Sequence, residues 1–273
     1  MRITTLVENT KIAPEFENKH GLSFHIETAK HSILFDLGPK DALIKNAQKL
    51  GINLSEVDTV IISHGHSDHG GGLEAFLKVN NKAKIYVNKD AFNEYYSVVG
   101  IFKKYIGLDA ELKDNPRIIL TDGDLKIDDE LYLFSGIERK YEISRFNGAL
   151  YKRVDGLYFE DDFAHEQNLI IKDGEKYVLF GGCAHNDIRN IIDKAEIIVG
   201  KDLDCVISGF HIFNPVTGRS EGDNFIEALG EVLGARDTKF YTCHCTGMKA
   251  FKMLEGILGN KISYISTGQV VDI

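Results

Sequence analysis

Short apolar, β-branched runs recur along the chain, each closed by glycine, proline, aspartate or histidine. Runs of this length between turn residues read as strands buried in a sheet. The pattern predicts strands over 3–7, 22–28, 32–37, 57–62, 84–87, 117–120 and 130–134. It predicts more over 168–172, 177–180, 205–208, 239–242 and 262–265. Between them the apolar period lengthens. Ala42, Leu43, Ala47 and Leu50 fall at helical spacing, and Gly51 stands where a C-terminal cap belongs. Helices are likewise expected over 72–79, 188–195, 225–233 and 248–258. Residues 91–104, rich in aromatics, read as a further helix. Residues 8–20 form a polar loop, and 141–166 show no period and read as a long loop over a site. Strands alternating with helices predict an α/β layered chain with its site at the carboxyl ends of strands. A single domain spanning 1–273 is expected, with an irregular, insertion-like segment at 88–165.

The chemistry gathers where the run at 57–62 ends. There the chain reads Ser63-His64-Gly65-His66-Ser67-Asp68-His69-Gly70-Gly71-Gly72. Three imidazoles and a carboxylate this close suit a borderline-soft divalent ion such as zinc. The glycines let the backbone turn tightly beside whatever is bound. The plainer alternative is a polar loop that happens to hold histidines. Three later strands also end near a histidine: His185, His211 and His244. Neighbouring strand ends lie about 5 Å apart, so histidines distant in sequence can converge.

Composition narrows the partners. The chain has 273 residues, 43% of them hydrophobic, enough for a large core. A net charge of -9 argues against a nucleic-acid backbone as partner. No apolar run reaches membrane-spanning length, and the N-terminus lacks the apolar core of a signal peptide. Four cysteines are too few for a disulfide scaffold, so a reducing cytoplasm is expected. A small-molecule substrate is the expected partner, with no nucleic acid and no membrane.

The stretch His64-Gly65-His66-Ser67-Asp68-His69 is similar to the H-x-H-x-D-H signature of the metallo-β-lactamase superfamily. Asp36-Leu37-Gly38 resembles its earlier D-x-G motif, and His185 and His244 resemble its later single-histidine ligands. Glu8-Asn9, His20-Gly21-Leu22-Ser23, Gly182-Cys183-Ala184-His185, Ser208-Gly209-Phe210-His211, Cys243-His244-Cys245-Thr246-Gly247 and Ser266-Thr267-Gly268 resemble a narrower subgroup. That subgroup is named for a pterin-related synthase. The resemblance implies an αββα sandwich with two mixed sheets. It implies that His64, His66 and His185 hold one metal, and Asp68, His69 and His244 a second. Zinc is the implied ion, one or two per chain, with manganese or iron as alternatives. Asp36 would orient a metal-bound histidine. Glu8, Asn9 and His20 would lie near the substrate.

One departure stands out. Many dinuclear members place a bridging aspartate where this chain reads Ser208-Gly209-Phe210-His211. His211 is therefore an additional ligand or a substrate contact. The implied function is a metal-dependent hydrolase, a metal-bound hydroxide attacking an ester, lactone, amide or phosphoester. Asp68 would bind metal, hold the nucleophile and move its proton. A pterin-related transferase and a non-catalytic ligand-binding member are the alternatives. Cys243 and Cys245 flank His244 and read as core residues on the opposite strand face. Cys183 reads as packing, and His165 and Glu166 as a plain loop end.

Overall fold

The apolar run ahead of the histidines forms the strand Thr59–Ile62, buried along its whole length. The computed structural model, which describes residues 1–273, places it inside a seven-stranded sheet. The strand order is Val270–Asp272, Arg2–Val7, Ser23–Glu27, Ser32–Phe35, Thr59–Ile62, Lys84–Asn88 and Ile118–Thr121. Pairing is antiparallel up to Ser32–Phe35 and parallel beyond it. A parallel strand is covered on both faces, which is why this one is a continuous β-branched run without alternation. The helices Ala42–Lys49 and Leu73–Val79 bury Leu43, Ala47, Leu73 and Phe76 in the same core as Val60 and Ile62.

These elements belong to the first of two compact units, made of Met1–Gly123, Ala149–Gln167 and Ser266–Ile273. The unit also holds a four-stranded antiparallel sheet, in the order Leu157–Glu160, Leu150–Val154, Glu94–Val99 and Phe102–Tyr105. This corrects two expectations. Residues 91–104 are not a helix: Tyr95, Tyr96, Val98 and Val99 favour an extended chain, and Gly100, at φ +61°, turns it back. Nor is 141–166 a structureless loop. A 3₁₀ turn, Arg145–Ala149, leads into a hairpin closed by Asp155-Gly156, both at positive φ. An Asp-Gly pair between apolar runs is a strong hairpin signal.

The second unit comprises Asp124–Gly148 and Asn168–Ile265. Its seven-stranded sheet runs Ile262–Tyr264, Lys239–Thr242, Cys205–Ser208, Lys176–Phe180, Asn168–Asp173, Leu131–Phe134 and Leu125–Lys126. The first four strands pair in parallel and the rest antiparallel. The helices Ile188–Val199, Asp223–Gly234 and Met248–Leu258 bury Ile191, Leu229, Leu233 and Leu254 with Val206 and Phe240. The fold class is thus α/β, with two mixed seven-stranded sheets and their helices, as the alternation predicts. His185, His211 and His244 each follow the carboxyl end of one of three adjacent parallel strands. No helix is long and apolar enough to cross a membrane.

Candidate metal centre

In the first unit, His64, His66 and His69 are all buried and packed ring against ring. The centroids of His64 and His69 lie 4.1 Å apart, and those of His64 and His66 4.6 Å apart. Beneath them sits Asp36, fully buried, accepting from Ser63 N at 2.7 Å and Ser63 Oγ at 2.8 Å. His69 Nδ1 donates to the same carboxylate at 2.6 Å. The Ser63 hydroxyl has one proton, given to Asp36, so the contact of 2.8 Å between Ser63 Oγ and His64 Nδ1 has the imidazole donating. This chain of bonds fixes the Nδ1–H tautomer of His64 and His69 and puts the lone pair on Nε2. A carboxylate holding the far nitrogen of an imidazole is what a metal-ligating histidine needs.

The rings also have the right charge. Burial, reinforced by the neighbouring imidazoles, drives the His64 pKa well below the ordinary histidine value. Burial likewise lowers that of His66, against the opposing pull of the Asp161 carboxylate. Neutral imidazoles are ligands; imidazolium ions are not.

Asp68 is 25% exposed at the edge of the cluster, its Oδ2 lying 3.8 Å from His69 Nε2 and 3.3 Å from His20 Nε2. His20 is therefore brought to the predicted catalytic carboxylate. Gly21 makes this approach possible: at φ +145°, a Cβ there would lie 2.4 Å from the Asp68 carbonyl oxygen. Glu8 is buried and accepts from Thr10 N and Oγ1, each at 2.6 Å, and Asn9 Oδ1 accepts from Gly21 N at 3.4 Å. Both side chains shape the loop that presents His20.

Gly65 is equally constrained. A Cβ there would meet the Ala91 carbonyl oxygen at 2.4 Å and the Tyr95 ring at 2.7 Å. Backbone cannot give way as a flexible side chain does. Gly65→Ala is expected to destabilise the fold by about 1–3 kcal/mol and displace His64 and His66. Denaturant midpoints and metal content read on one preparation check this; an unchanged midpoint with unchanged metal would refute it.

The structure adds two residues that the sequence pattern missed. Asp161, its side chain fully buried, lies 3.1 Å from His165 Nε2 and 3.9 Å from His66 Nε2. Gly65 N donates to His165 Nδ1 at 2.9 Å, so the His165 proton sits on Nε2 and is given to Asp161. Burial alone would raise the Asp161 pKa, but the hydrogen bonds from His165 and His66 outweigh it and hold the carboxyl well below the usual range. His165 is thus no plain loop end. It ties the turn between His64 and His66 to a buried carboxylate. The Asp161-x-x-x-His165 spacing just before a strand was the available signal.

In the second unit, Asn147 Nδ2 donates to the His185 carbonyl at 2.8 Å, which turns its Oδ1 toward His185 Nδ1 at 2.9 Å. The donor must then be Nδ1–H, the tautomer found at His64 and His69. His211 packs against His185 at 4.1 Å between centroids. Three non-glycine residues in these turns, Ala184, His211 and His244, hold φ between +48° and +55°. Such conformations are uncommon and gather at functional sites.

Cys183, Cys243 and Cys245 are buried as expected, but not by the strand argument. Residues after Thr242 leave the sheet for a 3₁₀ turn, His244–Thr246, so strand alternation does not govern Cys243 and Cys245. Cys245 Sγ accepts from His211 N at 3.2 Å and donates to the Cys183 carbonyl at 3.5 Å. Burial would raise its pKa, but Cys183, His211 and His244 around it hold the thiol well below its ordinary value. Cys205, by contrast, is pushed up to about 12 by burial. No disulfide joins the four cysteines. The donors are imidazole and carboxylate in the first unit, and imidazole and thiol in the second. Both sets fit a divalent cation such as zinc.

Comparison with known proteins places these features. Residues 19–145 match a family model for the metallo-beta-lactamase superfamily. An uncharacterized protein of Methanocaldococcus jannaschii is 29% identical over 279 residues, covering 99% of this chain and 100% of its own. A 7,8-dihydropterin-6-methyl-4-(beta-D-ribofuranosyl)-aminobenzene-5'-phosphate synthase of the same organism is 26% identical over 288 residues, covering 99% of this chain and 96% of its own. A crystal structure described as a metal-dependent hydrolase of the beta-lactamase superfamily superimposes with a TM-score of 0.85 at 27% identity, over 100% of this chain and 99% of that one.

Proposed function

We propose, from its likeness to the metallo-β-lactamase superfamily, that the chain is a metal-dependent hydrolase acting on an ester, lactone, amide or phosphoester bond of a small molecule. The observation that carries the reading is the set of buried imidazoles whose Nδ1–H groups are pinned by Asp36, Ser63 and Asn147. Buried neutral histidines oriented in this way serve ligation better than packing. His64, His66, Asp68, His69, His185 and His244 are the proposed ligands for one or two ions, with zinc preferred and manganese or iron as alternatives. A bound ion supplies Lewis acidity and lowers the pKa of water.

The chain's own groups do the rest. Asp68, reachable from solvent, orients the attacking water and accepts its proton. His20, 3.3 Å away, steadies the carboxylate and stands where a substrate would enter. Asp161 and His165 position His66 without touching substrate. His211 serves as a further ligand or a substrate contact.

A second reading is favoured by the full-length likeness to the pterin-related synthase. The test that separates them offers the metal-loaded chain generic phosphodiesters, esters and lactones, and separately a reduced pterin with a ribosylated aminobenzene phosphate. Turnover of a single substrate with water supports hydrolysis. Product only when both partners are present supports the synthase. Binding of the pterin without turnover in either assay would leave a ligand-binding protein.

A further inference from the structure

We infer that the second unit carries a thiolate-bearing metal site made of Cys183, His211 and Cys245. The three residues come from three turns, each following one of the adjacent parallel strands Lys176–Phe180, Cys205–Ser208 and Lys239–Thr242. Their ligand atoms, two sulfurs and a ring nitrogen, all lie within 4.8 Å of one another. Both thiols are buried, and both ring nitrogens of His211 are buried without a hydrogen bond.

Packing alone does not account for this cluster. A buried polar atom without a hydrogen bond is costly, and a metal bond removes that cost at one of the two His211 nitrogens. His211 also holds φ +48°, a strained conformation that aims its ring into the group. Gly209 clears the space: a Cβ there would lie 2.5 Å from Cys245 Sγ. The His211 backbone N–H donates to that sulfur at 3.2 Å, which ties the two turns together at the group. Zinc–sulfur bonds of ~2.3 Å and zinc–nitrogen bonds of ~2.0–2.1 Å fit such a group after a small contraction of the turns. Three protein donors leave one position open. Two sulfurs and one imidazole select a softer ion than an imidazole–carboxylate set does, zinc or copper(I) ahead of manganese.

The inference rests on the reading above in one respect, taking His211 as a further ligand beside His185, and its test reads sulfur ligation rather than turnover. The full chain is saturated with cobalt(II) and its near-ultraviolet spectrum recorded. A sulfur-to-cobalt charge-transfer band is expected. Cys183→Ser and Cys245→Ser should each lose most of it, and His211→Ala should shift it. Cys205→Ser, at the far end of its strand, and His66→Ala, in the other unit, should keep it. A cobalt-bound chain without the band, or a band that survives both Cys183→Ser and Cys245→Ser, would overturn the assignment. Should the serine variants fail to fold, X-ray absorption of the zinc-loaded wild-type chain decides. Sulfur in the zinc shell at ~2.3 Å supports the site, and a shell of nitrogen and oxygen alone overturns it.

Discussion

His66→Ala and His185→Ala are each expected to lower turnover by about 10²–10³-fold or more, the scale of removing a group that acts directly on the transition state. Bound metal should fall with it. The two residues test the account from different sides. His66 is steered by the buried Asp161–His165 pair of the first unit, and His185 by the Asn147 carboxamide of the second. Neither ring fills a large apolar core, so the far-ultraviolet spectrum should be preserved. Metal analysis and kinetics on folded protein make the check. Wild-type turnover in either variant would remove that residue from the centre.

Asp36→Asn is expected to separate folding from metal binding. The asparagine Oδ1 can still accept from Ser63 N, but its amide group would face His69 Nδ1–H donor to donor. His69 would have to move its proton to Nε2, and the coordinating lone pair would be lost. Changing such an anchor weakens metal affinity by about 10–100-fold. Asp36→Ala should go further. It leaves Ser63 N, Ser63 Oγ and His69 Nδ1 without their acceptor in a fully buried site, at about 1–3 kcal/mol for each group left unsatisfied. Competition with a chelator and thermal melting, run on both variants, distinguish the effects. A folded Asp36→Asn protein with unchanged affinity would show that the Asp36 network is structural only.

Much of the architecture was legible because its physics is local. The run from Val57 to Ile62 reads as a buried strand, its last four residues form one, parallel to both neighbours, and the histidines follow its end. The misread parts have equally local causes. Tyr95, Tyr96 and Phe102 carry apolar bulk at spacings that a helix or a hairpin could use, and Gly100 decides for the hairpin. Asp155-Gly156 announced a second hairpin inside a stretch whose alternating charges hid its period. The Asp161–His165 spacing marks a pair, but what that pair holds, and what Asn147 holds, depends on contacts with residues distant in the chain. Cys245 is buried as expected but stands on a different element. Its neighbours fit a strand, but the chain turns at Cys243, and the thiol swings to His211.

The most direct measurement is the metal content of the full chain, purified without chelator or added metal, taken together with turnover on phosphodiester, ester and lactone substrates. The account predicts at least one divalent ion per chain, lost on chelation together with turnover and restored with it by zinc, manganese or iron. Protein that binds no metal after all three are supplied, or that turns over unchanged when stripped, would contradict it.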